Sequence, residues 1–234
     1  MEENAHIVSA FDKELAHIQD QISQMGEHAA AVLQTALQAV KKRDPALAQK
    51  AIEMDKILDD FELEIEERAT QVIALRQPMA LDLRVLISAI KIATTLERIG
   101  DLGKNIARRA LVLSDGKKLK ITSSVVQMGK ATRKQLDAIM AAHTARDADL
   151  AVEIWENDVD LDEMYNSIFR EVVTYMMEDS RKISAGSQLL FIAKNLERIG
   201  DHTTHISEMI YYVVHGKPLG DDRPKGEPLA YSEE

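Results

Sequence analysis

Apolar residues recur along this chain at alternating spacings of four and three, the repeat of one helix face. One such stripe runs Leu47, Ala51, Met54, Leu58, Phe61, Ile65, Ala69, Val72. A second runs Val85, Ala89, Ile92, Leu96, Ile99, Gly103, Ile106, Ala110, Leu113. Ahead of the first stripe, Asp44 followed by Pro45 reads as an N-cap and a first-turn proline. That helix is predicted to end before Pro78, since the residue preceding a proline leaves the helical region. A helix over residues 6–42 precedes it. A third, over residues 81–113, is predicted to stop at Ser114-Asp115-Gly116, with Gly116 as the terminating residue. Lys117-Lys118-Leu119-Lys120-Ile121 then forms a link. Thirty helical residues span about 45 Å, so these are rods. Their heptad-like seams argue for packing at shallow crossing angles.

The pattern then repeats. Shifted by 103 positions, Gln24-Met25-Gly26 falls on Gln127-Met128-Gly129, and Arg43-Asp44 falls on Arg146-Asp147. Over residues 24–62 there are 13 identities in 39 positions, where chance gives about one in fifteen. The offset later drops to 100, and Leu96-Glu97-Arg98-Ile99-Gly100-Asp101 recurs unchanged as Leu196-Glu197-Arg198-Ile199-Gly200-Asp201. The three-residue deletion is assigned to the Gln77-Pro78 turn, where length changes are tolerated. The second repeat opens near Thr122, uses Asp147 as its N-cap, and ends with a helix from about Ser184 to His215-Gly216. The expected fold is all-α: six long helices in two tandem three-helix bundles, over residues 5–115 and 119–216. Residues 217–234 lack periodicity and are expected to form a flexible tail. A single long coiled coil is disfavoured by the regular breaks at Asp44-Pro45, Pro78 and Gly116.

Composition narrows the function classes. Aromatics are 4%, with 10 Gly and 5 Pro, too few for a turn-rich sandwich or barrel. The net charge of −10 is the wrong sign for a nucleic-acid binder, which needs cations to displace counterions. There is no cysteine, so disulfides and thiolate metal sites are excluded. The acidic start Met1-Glu2-Glu3-Asn4 is no signal peptide, and apolar runs such as residues 209–214 are too short to span a bilayer. A soluble cytoplasmic protein is expected. Phosphate-binding glycine loops, nucleophile elbows and H-E-x-x-H helices are missing, so no enzymatic activity is expected.

The candidate chemistry lies in acidic pairs. Glu97 and Asp101 are four apart and share a helix face, about 100° round from core Leu96. Asp55 and Asp59 follow core Met54 and Leu58 in the same way. Asp158 with Asp162, and Glu197 with Asp201, repeat the arrangement. Like charges at this spacing repel by a few tenths of a kcal/mol, and a polyvalent cation reverses the sign. Four carboxylates from two helices make an oxygen shell for Mg, Ca, Mn, Fe or Zn, mononuclear or bridged. Asn105, His205 and Glu208 lie near the same face as secondary candidates, whereas Arg108 opposes a cation in repeat one. Lys194 is a possible partner for Glu197. Arg98 and Arg198 are expected to form flank salt bridges in preference to binding phosphate. His6, His28, His143 and His215 read as surface residues. Glu14 and His17 make a lone E-x-x-H, whereas ferritin-like di-iron sites need two. Gly100 and Gly200, costly mid-helix, point to close helix approach or ligand access. Trp155, Met25 and Met128 are expected in the core.

The duplicated hexapeptide, the paired acidic motifs and the Gln-Met-Gly segments together resemble the PhoU family, over residues 5–216. The resemblance implies two tandem three-helix bundles without enzymatic activity. It implies a cytoplasmic accessory of the phosphate-specific ABC transporter and a negative regulator of the phosphate-starvation response. The implied partners are the transporter ATPase subunit and the phosphate-sensing histidine kinase, with the membrane reached only through them; a homodimer is expected. The family's metal motifs map onto Asp55, Asp59, Glu97, Asp101, Asp158, Asp162, Glu197 and Asp201. Family members often read G-D-H-A-x-N-I after the hexapeptide. Here the first copy reads Gly100-Asp101-Leu102-Gly103-Lys104-Asn105-Ile106 and lacks the His. The second reads Gly200-Asp201-His202-Thr203-Thr204-His205-Ile206 and lacks the Asn. The competing readings are a carboxylate-bridged di-iron-like protein and a plain helical scaffold.

Overall fold

The computed structural model describes residues 2–115 and 119–220, with side chains from Phe11 onward. Gly116, Lys117 and Lys118 of the expected link, and residues 221–234 of the expected tail, lie outside the described residues. The described chain forms α1 (Glu2–Lys42), α2 (Pro45–Met54), α3 (Lys56–Arg76), α4 (Ala80–Ser114), α5 (Thr122–Ala145), α6 (Ala148–Glu156), α7 (Val159–Glu178) and α8 (Ile183–His215). A 3-10 turn, Ser180–Lys182, leads into α8. No strand occurs among the described residues.

Local chemistry sets most boundaries. The Asp44 carboxylate accepts from the N–H groups of Ala46 and Leu47, with Pro45 in the first turn. Asp147 caps α6 by accepting from Leu150 N–H at 2.9 Å. Gly216, at φ 71, closes α8 in the left-handed conformation. Arg43 ends α1 at φ 58 and sends its guanidinium to the last carbonyls of α4, Leu113 and Ser114. Residues 77–79 link α3 to α4, whereas Asp179 alone separates α7 from the 3-10 turn. With the 3-10 turn included, residues 179–182 link α7 to α8.

The expected rods are present, but two are interrupted. The second rod of each repeat is broken, between α2 and α3 at Asp55 and between α6 and α7 at Asn157-Asp158. Each break tightens to i→i+3 bonding: Leu58 N–H donates to the Asp55 carbonyl at 2.9 Å, and Leu161 N–H to the Asp158 carbonyl at 3.0 Å. Asp55 keeps helical dihedrals, φ −61 and ψ −32, so local sequence carries no breaking signal.

The two bundles also share a core. Helices α1, α4, α5 and α8 pack together, with the α2–α3 rod against α1 and α4 and the α6–α7 rod against α5 and α8. Helix α4 buries the predicted stripe and a second one, including Leu86, Ala93, Leu102 and Ala107. The repeated Gln-Met-Gly marks the crossing of α1 and α5. A Cβ on Gly26 would collide with Met140, and one on Gly129 with Leu37, the equivalent positions of the two repeats. Met25 and Met128 are fully buried beside these glycines and Trp155 is buried too, as expected. Helices α4 and α8 run antiparallel: Arg84 donates to the Val213 carbonyl at 3.4 Å, and Arg109 donates to Gln188 Oε1 at 3.1 Å.

Candidate functional site

The breaks in the second rods turn Asp55 and Asp158 inward. Both are almost completely buried, at 2% and 1% exposure. Each lies against the repeated mid-helix glycine. A Cβ on Gly100 would overlap Leu58 Cδ1 and lie 3.0 Å from Asp55 Oδ1. One on Gly200 would lie 2.7 Å from Asp158 Oδ1 and 2.8 Å from Leu161 Cδ1. The cost of glycine in a helix is therefore accepted to seat a buried aspartate and a core leucine against the neighbouring backbone.

The remaining acids lie further out. Asp59 is exposed, and Glu97, Asp101, Asp162, Glu197 and Asp201 are half-buried. In repeat one the two pairs share an electrostatic neighbourhood. Burial pushes Glu97 up to about 7, helped by the charges of Asp101, Glu62, Asp59 and Asp55. In repeat two, burial raises Glu197 against the opposing Lys194, with Asp201 and Asp162 adding to the rise. Glu97 thus feels the other three acids of repeat one, and Glu197 feels Asp201 and Asp162 in repeat two. The acids are not drawn into a coordination shell: among the described residues no three acidic or histidine side chains converge to hold a metal ion.

The two repeats balance their buried aspartate differently. In repeat one the Lys104 ammonium donates to Asp55 Oδ2 at 2.5 Å and also to Asp101 Oδ1. It sits between two carboxylates of the candidate quartet, in the place of an external cation. In repeat two the equivalent residue is Thr204, whose hydroxyl donates to the Asp201 carbonyl at 2.8 Å. There the neutral amide of Gln135 donates to Asp158 Oδ1 and to Thr203 Oγ1, both at 2.7 Å. Glu197 Oε1 accepts from Lys194 at 2.7 Å, the pairing the sequence allowed. Its Oε2 is buried without a hydrogen-bond partner.

Lys104 and Gln135 are the residues that the sequence reading missed. Lys104 had a signal, since it stands three residues after Asp101 on the same helix face and is replaced by Thr in the second repeat. Gln135 had none, because its counterpart in repeat one is Val32. The cation expected to oppose metal, Arg108, is exposed and donates to Asn105 Oδ1 at 3.5 Å. Glu208 accepts from the Trp155 indole at 3.4 Å. His205 is exposed, with its ring edge-on to His202 at 5.7 Å. Glu14 is taken by Arg76 at 3.0 Å, and His17 is exposed.

Two other expectations are corrected. Arg98 and Arg198 are exposed, and neither pairs with an acid among the described residues. Both instead add positive charge near His202, whose imidazole is lowered to about 4 by burial first, then by His205, Arg198 and Arg98. His28 and His143 are half-buried, not surface residues. His143 lines an apolar cavity with Ser88, Ile92 and Ile210, and burial with the nearby Arg146 charge lowers it to about 4.

Donor chemistry separates the repeats as hosts for a cation. Repeat two offers Asp158, Asp162, Glu197 and Asp201, with one buried carboxylate oxygen lacking a partner. The donor types of this set suit a hard or borderline cation, although the side chains do not converge on one point and Glu197 also meets Lys194. In repeat one an ammonium already occupies the space between Asp55 and Asp101. That set does not fit one.

The PhoU domain matches the chain twice, over residues 22–110 and 125–210, so each bundle carries one copy. A Caulobacter vibrioides protein named phosphate-specific transport system accessory protein PhoU homolog is 44% identical over 226 residues, covering 96% of this chain and 98% of its own. The crystal structure of PhoU from Pseudomonas aeruginosa superposes with a TM-score of 0.86 at 36% identity, over 88% of this chain and 100% of that one. The crystal structure of the phosphate transport system regulatory protein PhoU from Streptococcus pneumoniae gives 0.84 at 28% identity, over 90% of this chain and 99% of that one. Two matched domains, near-full-length relatives and the shared fold place this chain in the PhoU family.

Proposed function

We propose that this protein is a non-enzymatic accessory of a phosphate-specific ABC transporter, coupling it to the phosphate-sensing histidine kinase and repressing the phosphate-starvation response. The observation that carries the reading is the near-complete match to relatives named as accessory proteins of phosphate transport. The architecture supports it. Long helical rods present extended faces to partners, and large apolar side chains stand exposed at rod ends, Met79 at 81% and Met177 at 83%. Among the described residues no helix is long and apolar enough to cross a membrane, so the reading has the protein meet the membrane through its partners, from the cytoplasm. The acidic charge disfavours direct control of DNA. A homodimer is part of the proposal.

The reading also includes a metal. Asp158, Asp162, Glu197 and Asp201 of repeat two would hold a divalent cation such as Mg, Mn, Fe or Zn. When bound, the cation would neutralise carboxylates that otherwise repel across α7 and α8. The chain's own part is to hold Asp158 in place through a neutral amide, Gln135, and to leave Glu197 Oε2 free of hydrogen bonds.

Deletion of the gene in its native host should raise phosphate-starvation transcripts in phosphate-rich medium, and complementation should restore repression. Pull-down from detergent-solubilised membranes should recover the transporter ATPase or the kinase. Unchanged repression together with recovery of neither partner overturns the reading.

A further inference from the structure

The two repeats share their backbone solution for a buried aspartate but not their charge solution. In repeat one, Lys104 reaches from α4 to the α2–α3 break and binds both Asp55 and Asp101. Its side chain is only 20% exposed and that of Asp55 only 3%, so this is a sequestered ion pair, weakly screened by solvent. A lysine ammonium has three donors and no acceptor; two of the three are committed here. It therefore supplies the Asp55–Asp101 pair with the positive charge and the bonds that a metal would supply. Repeat two has Thr204 at the same place, a residue that brings no charge.

We propose that Lys104 is the resident cation of repeat one, so that repeat one is closed to metal and any metal dependence of this protein belongs to repeat two. The statement about Lys104 stands on the ion pairs alone. The statement about repeat two rests on the metal reading above. A divalent ion entering between Asp55 and Asp101 has to expel the ammonium or sit against it, and either requirement weakens binding steeply. The duplication has thus produced one quartet in which an ammonium bridges the buried aspartate to a second acid, and one in which an amide holds the buried aspartate while Lys194 pairs with Glu197.

The test uses tag-free full-length protein stripped with chelator and then titrated with Mn²⁺ or Zn²⁺ alone, with bound metal counted after dialysis. The wild type should keep its metal content in the variant carrying Asp55→Asn with Asp101→Asn. Lys104→Thr, which copies repeat two, should gain one equivalent per chain, and adding Asp55→Asn should remove it. In chelator, Lys104→Thr should melt below the wild type, and Mn²⁺ should recover much of the loss. Loss of an equivalent from the wild type on Asp55→Asn with Asp101→Asn overturns the proposal, and this arm holds even if Lys104→Thr does not fold. A folded Lys104→Thr that gains no metal also overturns it. A wild type that binds no metal, beside a Lys104→Thr that binds one equivalent, removes the repeat-two reading and leaves the Lys104 assignment standing.

Discussion

Replacing Gly200 by Ala tests whether the mid-helix glycine serves close packing. On helix propensity alone the change stabilises, by about 1 kcal/mol. The structure opposes this. The new methyl would lie 2.7 Å from Asp158 Oδ1 and 2.8 Å from Leu161 Cδ1, well inside normal contact. Leu161 is 2% exposed and Asp158 1%, so neither can swing into solvent. Overpacking of a closed core costs about 1–3 kcal/mol. Displacing Asp158 also strains its bond from Gln135, at about 1 kcal/mol. Net destabilisation of about 1–3 kcal/mol is expected, and for a chain of this size it lowers Tm by roughly 2–12 °C. Calorimetry of metal-free Gly200→Ala measures it. Leu161→Ala provides a coupled check. Alone it opens a cavity, costing about 2–5 kcal/mol. With Gly200→Ala the added methyl takes up part of that space, so the double variant should be more stable than the two losses predict. A rise in Tm for Gly200→Ala, with additive losses in the double variant, would refute the packing account.

Two further outcomes follow from the same geometry. Gln135→Ala removes one donor from the buried Asp158 carboxylate and should cost about 1–3 kcal/mol, read by denaturant unfolding, with the helical far-UV signal kept. His143 is lowered from its ordinary 6.5 to about 4 in the folded protein, so the unfolded chain takes up its proton first as pH falls. Its contribution to stability is complete above about pH 6.5 and is lost on the way down to about pH 4. The melting temperature of His143→Gln should accordingly decline less than that of the wild type across this window.

Features settled within a few residues were legible in the sequence. Asp44 and Asp147 cap because a short carboxylate can reach free N–H groups at a helix start, and Gly216 ends α8 because it tolerates positive φ. The duplication exposed the paired acids and the pair of mid-helix glycines. What escaped was set by contact at a distance. The breaks at Asp55 and Asp158 occur at residues that fit a continuous helix, and each aspartate packs against a mid-helix glycine of the neighbouring helix, Gly100 or Gly200. The shared core was not legible from one apolar stripe per helix, since α4 buries a second face as well. Lys104 belongs to no metal-ligand pattern; its role is set by the buried carboxylate it neutralises across the interface.

The duplicated pattern therefore carries two kinds of constraint. Gly100 and Gly200, Leu58 and Leu161, and Asp55 and Asp158 match between repeats because they form a single packing unit. Change the glycine and the leucine and aspartate lose their seat. The neighbours that handle charge are free of that constraint, since an ammonium, an amide or a bound cation can each satisfy a carboxylate oxygen. Lys104 against Thr204, and Val32 against Gln135, are where the repeats diverge. Matching acids therefore locate a shared packing site and do not establish a shared ligand. The residue three places after Asp101 or Asp201, a lysine in the first repeat and a threonine in the second, decides whether an ammonium reaches the buried aspartate; in the second repeat the lysine, Lys194, pairs with Glu197 instead.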